Sequence, residues 1–251
     1  MRPEPMRPDP ARSLAILDAV RGKGPRVHCL TNSVARAFTA NVLLAVGAVP
    51  SMSHDVSEVS AFVDNADALL VNLGTLDAAM RAAMMTALGV AEARGLPWIL
   101  DPVFADRSAG RAAFAAELLT RRPAVLRLNE AEAAALGAGH MDAARLGGKI
   151  VALSGEVDRI SGPHATCDID LGDPLMRQVT AMGCALGAVI AAFIAVSDDR
   201  FDAVCAAVHV FGAAGSLAGT QASGPGSFVP AFLDALFTLD AASFAQTEKG
   251  R

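Results

Sequence analysis

Apolar and polar positions along the chain fall into two alternating patterns. Short apolar runs of four to six residues alternate with longer segments in which apolar residues recur every three or four positions. Short continuous runs are typical of parallel strands buried on both faces, and the longer spacing is typical of helices. The pattern predicts strands over residues 26–30, 49–52, 68–73, 97–100, 124–128 and 149–153.

Segments of helical spacing follow most of these runs, with connections of only a few residues. The predicted helices cover residues 13–21, 34–46, 57–65, 76–94 and 109–120, and a further helix opens at residue 129. Strands and helices in alternation give a mostly parallel sheet with helices on both faces. The expected fold class is therefore α/β.

The last third of the chain has a different pattern. Residues 159–161 and 165–169 have the length and turn signal of a small hairpin around Gly162-Pro163. A short β-type run over residues 176–180 precedes a turn of small residues. Predicted helices then follow over residues 184–197, 201–220 and 227–239.

Composition narrows the function classes. The net charge of −5 gives no basic footprint for nucleic acid. Hydrophobic residues make up 53% of the chain, but the longest uncharged apolar run, residues 182–196, is shorter than a membrane span. The apolar surplus suggests an oligomeric interface. The four cysteines form no C-x-x-C or zinc spacing, and free thiols fit a cytoplasmic protein.

No change of composition marks a linker after the first residues. Residues 1–12 are rich in proline and arginine without an apolar core, so we expect a disordered leader rather than a secretory signal. Residues 13–251 are then expected to form a single domain.

The turn before Cys184 is the most informative stretch of the sequence. The first N–H groups of a helix lack partners within the helix, and the macrodipole places partial positive charge there. Such an end holds anions, most often phosphate, and favours a thiolate. Cys184 is thus a candidate base or nucleophile with a lowered pKa. The alternative interpretation is a cysteine packed as a small hydrophobic residue.

Polar residues follow several of the predicted strands. Ligands of open α/β sheets bind beyond the carboxyl ends of the strands, so these side chains are expected to line one pocket. They are Thr31, Asn32, Ser53, Asn72, Thr75, Asp101, Arg127, Asn129 and Ser154.

The motifs argue against several chemistries, and the remaining polar groups are compatible with phosphoryl transfer, among other possibilities. The sequence has no P-loop, no G-x-G-x-x-G after a strand and no G-x-S-x-G. Phosphoryl transfer needs carboxylates for Mg²⁺, a cation for phosphates and a base near the acceptor hydroxyl. Asp101, Glu132, Arg127 and Cys184 supply these groups. Glu132 also suits the first turn of a helix, where acids complement the dipole.

Seven motifs in order carry a resemblance that spans residues 13–240. The chain resembles hydroxyethylthiazole kinases, thiamine-salvage enzymes of the ribokinase-like superfamily, which implies a three-layer α/β/α sandwich. The motifs are V-H-C-L-T-N-x-V from Val27, F-T-A-N from Phe38, N-L-G-T-L from Asn72, D-P-V from Asp101, S-G-E-V-D from Ser154, D-P-L-M from Asp173 and G-P-G-S-F from Gly224.

The resemblance implies transfer of the γ-phosphate of ATP, with Mg²⁺, to the primary alcohol of 4-methyl-5-(2-hydroxyethyl)thiazole. It implies Cys184 as the base where ribokinase relatives carry an aspartate. It also implies a homotrimer with the thiazole site at the subunit interface. The other expected site residues are Asp101 and Glu132 for the metal, Arg127, Ser154 and Gly183 for ATP, and Met52, Ala181, Asn32 and Gly74 for the substrate.

This sequence departs from the family pattern at three places. The turn reads Ala181-Met182-Gly183-Cys184 without the first glycine, and alanine costs about 1 kcal/mol there if φ is positive. Phe104 follows D-P-V where the family is glycine-rich. The stretch between Glu132 and Ser154 is shorter than the resemblance implies, which predicts the loss of a helix on the nucleotide side.

These departures leave two alternatives open. A changed acceptor pocket around Met182 and Phe104 would suit another heterocyclic alcohol, such as a hydroxymethylpyrimidine. The altered turn and the shortened segment would suit a non-catalytic protein that binds a thiazole or a thiamine metabolite.

Overall fold

The computed structural model describes residues 5–137 and 149–249 and is built around one eight-stranded sheet. The strand order is β2-β1-β3-β4-β5-β6-β7-β8; the first six strands are parallel, and β7 and β8 form an antiparallel hairpin at one edge. The strands are β1 Arg26–Leu30, β2 Val49–Ser51, β3 Ala68–Asn72, β4 Trp98–Asp101, β5 Val125–Asn129, β6 Ile150–Ser154, β7 Asp158–Ser161 and β8 Thr166–Ile169.

Helices cover both faces of this sheet. Two 3₁₀ helices, Ala105–Arg107 and Pro174–Gln178, lie in the connections. The α-helices of the described residues are α1 Pro10–Lys23, α2 Arg36–Ala45, α3 Val59–Asp64, α4 Ala78–Arg94, α5 Ala109–Thr120, α6 Glu130–Ala135, α7 Met182–Ile194, α8 Arg200–Gln221, α9 Pro225–Thr238 and α10 Ala241–Lys249.

Two hydrophobic clusters lie on opposite faces of the sheet. Side chains alternate between the faces of a strand, so on β3 Leu70 joins one cluster while Leu69 and Val71 join the other. Helices α1, α2, α7, α8 and α9 pack on the face of Leu70, and α3, α4 and α5 pack on the other face. The predicted α/β/α layering and all six predicted parallel strands are confirmed.

The predicted strand over residues 176–180 is wrong. Pro174–Gln178 is a 3₁₀ helix because Pro174 occupies its first turn and Asp173 caps it, accepting a hydrogen bond from the N–H of Leu175 at 2.8 Å. Proline at this position removes no hydrogen bond and fixes φ for a helical turn. Val179, with φ −109°, is extended before the turn.

Helix α1 begins within the stretch 1–12 for which the sequence predicted a disordered leader. Helix α1 starts at Pro10 and is capped by Asp9, whose side chain accepts from the N–H of Ala11. Met6 pairs with β8, since its N–H donates to the carbonyl of Thr166 at 2.8 Å. Residues 1–4 of the predicted leader lie outside the described residues.

Two other expectations concern length and membranes. The shortened stretch between Glu132 and Ser154 falls largely on residues 138–148, which lie outside the described residues. In the part that is described, one helix, Arg200–Gln221, is long and apolar enough to cross a membrane, but most of it is buried within the fold.

Candidate functional site

The carboxyl ends of the central strands and the start of α7 meet at one edge of the sheet. Asn72 of β3 is paired in register with Asp101 of β4, and Asn129 of β5 with Ser154 of β6. Helix α7 lies close above them because Gly187 faces Asp101: a Cβ there would lie 3.6 Å from the carboxylate. The polar strand ends are therefore brought together, as the sequence predicted.

Helix α7 begins with an exceptional backbone conformation. Ala181, its N-cap residue, has φ 73° in the left-handed region and makes no side-chain capping bond. Met182 is then the first helical residue and Cys184 the third. A Cβ on Gly183 would lie 2.6 Å from the guanidinium of Arg127, so only glycine admits this arginine against the helix start. The positive end of the helix and the guanidinium together favour an anion.

Arg127 has two partners, Ser154 and Asp101, but its Nε has none. Its guanidinium donates a hydrogen bond to the Ser154 hydroxyl at 3.1 Å. It also forms an ion pair with Asp101 at 3.7 Å, which is too long for a hydrogen bond. Its Nε is buried without a hydrogen-bond partner. Because buried donors are rarely left unpaired, this atom points to an anionic ligand.

Asp101 is completely buried, and one of its oxygens has no hydrogen bond. Its Oδ2 accepts a hydrogen bond from Asn72 at 2.8 Å, while Oδ1 has no hydrogen-bond partner. Burial raises the pKa of Asp101 to about 7, and the charge of Arg127 opposes that rise. A buried carboxylate oxygen without a donor fits a divalent cation, since Mg²⁺ is usually bound through one or two carboxylates and water.

Glu132 has a clear structural function at the start of α6. Its Oε2 accepts from the N–H of Asn129 and its Oε1 from the N–H of Phe104, both at 2.9 Å, and the Asn129 side chain returns a capping bond to the N–H of Glu132. Both carboxylate oxygens thus already bind backbone donors. Among the described residues, no group of three or more His, Cys, Asp or Glu side chains is placed to hold a metal ion.

Cys184 is half-buried and does not have the lowered pKa that its helix position predicts. Its Sγ accepts a hydrogen bond from Nδ2 of Asn32 at 3.2 Å. Burial and the nearby charge of Asp101 nevertheless raise the pKa of Cys184 to about 11, against the opposing effects of Asn72, Asn32 and Arg127. The prediction of a lowered pKa is therefore wrong, because desolvation and the charge of Asp101 outweigh the two hydrogen bonds and Arg127.

A cavity of about 990 Å³ opens on one side of the α7 start. Ala181, Gly183, Arg127 and Ser154 line it, and half-exposed Phe104 stands at its edge with the guanidinium of Arg107 4.6 Å from the ring centre. The residues expected to bind ATP thus share one cavity. Phe104 itself has φ 57°, a conformation that suits the glycine expected there.

Three of the residues expected to bind the acceptor, Asn32, Gly74 and Met52, lie outside the lining of that cavity. Asn32 and Gly74 touch: a Cβ on Gly74 would lie 2.6 Å from Cβ of Asn32. Cys184 contacts Asn32, whereas Met52 follows the edge strand β2, partly buried against the core. Ala181, the fourth residue expected to bind the acceptor, lines the cavity itself.

Two residues of this edge were not singled out by the sequence. Asn72 was only one of nine polar strand ends, yet its amide binds both Asp101 and Asn32. His28 was named only as part of the V-H-C-L-T-N-x-V motif, with no role, and its ring bonds to the Ser51 hydroxyl at 2.8 Å and the Ser53 carbonyl at 3.0 Å, on either side of Met52. The strand-end position is a usable signal for Asn72; for His28 only the fold shows the contact.

Comparisons with known proteins agree with this geometry. The model of the hydroxyethylthiazole kinase family matches residues 17–144 and 137–242. A probable hydroxyethylthiazole kinase from Agrobacterium fabrum is 44% identical over 229 residues, which covers 91% of this chain and 90% of that protein.

Solved structures give the same result for the fold. A hydroxyethylthiazole kinase protein from Pyrococcus horikoshii has a TM-score of 0.88 and 35% identity, over 93% of this chain and 95% of that one. A ribokinase-like superfamily protein from Enterococcus faecalis has a TM-score of 0.64 at 16% identity, over 94% and 90%, which shows the shared fold alone. The expected ribokinase-like sandwich is confirmed, and the chain belongs to the hydroxyethylthiazole kinase family.

Proposed function

We propose that this protein transfers the γ-phosphate of ATP to the primary alcohol of 4-methyl-5-(2-hydroxyethyl)thiazole, giving the thiazole phosphate for thiamine salvage. One observation carries the proposal: at the α7 start, a cavity lined by Arg127, whose buried Nε has no hydrogen-bond partner, lies beside Cys184 and Asn32, which are outside the cavity lining. This arrangement suits a phosphate transferred across the turn. Membership of the family supports the choice of the alcohol.

The proposed roles follow from the positions of the groups. Arg127, Ser154 and Gly183 bind the phosphates of ATP from the cavity, and the N–H groups of the α7 start stabilise the charge of the transferring group. Met52, Ala181 and Gly74 border the thiazole. The alcohol oxygen bonds to the γ-phosphorus as the bond to the bridging oxygen of ADP breaks, and Cys184 takes the alcohol proton.

Mg²⁺, when bound, would neutralise phosphate charge. Asp101 and Glu132 are the proposed acids of its site. Asp101 is better placed than Glu132 to bind the cation. Its Oδ1 is buried without a hydrogen-bond partner, whereas both oxygens of Glu132 accept from backbone N–H groups. The cation would bind beside Arg127, where the ion pair already holds the carboxylate in place.

Residues 13–251 are proposed to act as a single kinase domain in the cytoplasm, assembled as a homotrimer with the thiazole site at the interface. Exposed apolar side chains on the elements around the β1–β2 edge support an interface there, on the side of Asn32 and Met52. They are Val34, Leu44, Val49, Val56 and Phe62. The four cysteines are free, which suits a reducing compartment.

The test is ADP release with Mg²⁺, ATP and the thiazole alcohol, for the wild type, Cys184→Ala and the control Cys205→Ala. We expect turnover in the wild type and control and a loss of about a hundredfold or more in Cys184→Ala. Because the pKa of Cys184 is about 11, kcat should rise with pH from about 7 to about 9 as the thiolate fraction grows.

Other outcomes discriminate between the alternatives. If the enzyme prefers a pyrimidine alcohol over the thiazole alcohol, the acceptor is another heterocycle and the proposed substrate is wrong. Tight binding of the thiazole without turnover would make the protein a binding protein, and full turnover in Cys184→Ala would remove the thiol from the role of base.

A further inference from the structure

Two buried asparagines, Asn32 and Asn72, connect the proposed metal acid with the proposed base, and we refer to them as the amide pair. Asn72 is completely buried and Asn32 nearly so. Nδ2 of Asn72 donates to Asp101 at 2.8 Å, and Oδ1 of Asn72 accepts from Nδ2 of Asn32 at 3.1 Å. The same Nδ2 of Asn32 donates to Sγ of Cys184 at 3.2 Å. A continuous chain of hydrogen bonds thus runs from carboxylate to thiol.

The orientation of both amides is fixed by backbone donors. Oδ1 of Asn72 also accepts from the N–H of Gly74 at 3.0 Å, and Oδ1 of Asn32 accepts from the N–H of Ala35 at 2.9 Å. A backbone N–H only donates, so neither amide can turn over without losing such a bond. The N–H groups of the pair must therefore point toward Asp101 and Cys184, which are the two groups that carry negative charge in the proposed reaction.

The loops around the amide pair are packed against each other. Gly74 has no room for a side chain because a Cβ would meet the Asn32 side chain at 2.6 Å, and the N–H of Ser33 donates to the Thr75 hydroxyl at 3.1 Å. The turn after β1 and the turn after β3 consequently hold Asn32 from both sides. Such a restrained amide has little freedom to rotate toward a ligand.

We infer that Asn72 and Asn32 are positioning residues that hold Asp101 and Cys184 in a fixed relation to the phosphoryl group. This rests on the proposed function. It also changes the expected role of Asn32 from a substrate contact to an internal support, because both of its amide hydrogens are used within the protein. Groups of this kind behind metal and catalytic residues affect turnover more than substrate binding.

The experiment measures kcat and KM for the thiazole alcohol in Asn72→Ala, Asn32→Ala and Asn72→Asp. Asn72→Asp keeps an acceptor for Gly74 and Asn32 but removes the donor to Asp101. All three are expected to lower kcat by about ten- to a hundredfold, with a change in KM of less than about threefold. Val71→Ala is the control. Val71 lies next to Asn72 on β3, but its side chain packs on the face of the sheet covered by α3, α4 and α5. The variant should therefore lose stability without changing the site.

A double-mutant cycle on Tm, measured without substrate, tests the hydrogen bond between the amides. The Tm loss of Asn32→Ala combined with Asn72→Ala should be smaller than the sum of the two single losses, because both remove the same bond. If the losses add, the pair is not coupled and the inference fails. A coupled pair with unchanged kcat at a temperature where the variants are folded would show a merely structural role and also overturn it.

The cycle keeps the inference separate from the proposed function. Absence of turnover in the wild type contradicts the proposed kinase reaction, whatever the variants do. Turnover in the wild type with a raised KM and an unchanged kcat in Asn32→Ala would return Asn32 to the substrate contacts and reject its positioning role.

Discussion

At the scale of single residues, His28 links the stability of the fold to pH. Burial lowers the pKa of His28 to about 4, and its ring is held neutral, donating from Nε2 to the Ser53 carbonyl and accepting at Nδ1 from the Ser51 hydroxyl. Between about pH 6.5 and pH 4 the unfolded chain binds a proton at this side chain that the folded protein does not. Stability from neutral His28 is therefore lost as the pH falls through this window.

Asp101 acts in the opposite direction over the same window. Its pKa of about 7 means that the folded protein takes up a proton that the unfolded carboxyl has released, so Asp101 favours the folded state as the pH falls. The wild-type profile combines both effects, and only a variant separates them.

The comparison of wild type with His28→Gln isolates the contribution of His28 to the pH dependence of stability. The difference in unfolding free energy between the two proteins should be largest near pH 7 and smaller by about 3 kcal/mol near pH 4, since each pKa unit corresponds to about 1.4 kcal/mol. Urea unfolding at several pH values measures it. A difference that stays constant with pH would show that His28 titrates normally in the folded protein.

At the scale of elements, the start of α7 carries backbone strain that a single substitution relieves. Ala181 has φ 73°, which favours glycine, and it makes no capping bond. Ala181→Gly should raise the unfolding free energy by up to about 1 kcal/mol, the left-handed penalty less the added entropy of the unfolded chain.

Thermal and urea unfolding test this prediction against a matched control on the same helix. Ala185→Gly, one turn further on, lies in regular buried helix and should destabilise by about 1 kcal/mol instead. Destabilisation of equal size at both positions would mean that the turn does not strain Ala181.

The same elements show which features of the fold and the site can be predicted from the sequence. The burial of β3, β4 and β6 and the polar residues at their ends follow from hydrophobic runs, so Asn72, Asp101 and Ser154 were expected at one edge. The strand expected at residues 176–180 fails because Asp173 and Pro174 set local capping that outweighs β-type side chains. The pKa of Cys184 depends on its burial and on Asp101, which are set by the tertiary fold and which no local sequence pattern contains.

At the scale of the whole molecule, the exposed apolar residues around the β1–β2 edge are the basis for the proposed subunit interface. Leu44 on α2 is 57% exposed, Val49 on the edge strand is 51% exposed and Phe62 on α3 is 39% exposed. Large exposed apolar side chains gathered on neighbouring elements mark association sites more often than free surface. The proposed trimer would bury them beside Met52 and complete the acceptor site.

Leu44→Glu tests this assembly with little risk to the monomer fold, because the leucine is already half-exposed. The wild type should sediment at three times the chain mass of 25.7 kDa, and the variant near the single-chain mass, since an interface buries an unpaired charge at high cost. Turnover should fall when the protein becomes a monomer, because each acceptor site then lacks the neighbouring subunit that completes it.

Val157→Glu is the control for mass, because Val157 is also exposed but lies between β6 and β7, toward the opposite edge of the sheet. If Leu44→Glu still sediments as a trimer, the interface lies elsewhere on the surface. A Leu44→Glu monomer with full activity would show that one chain holds a complete acceptor site, and the apolar edge would then serve assembly alone.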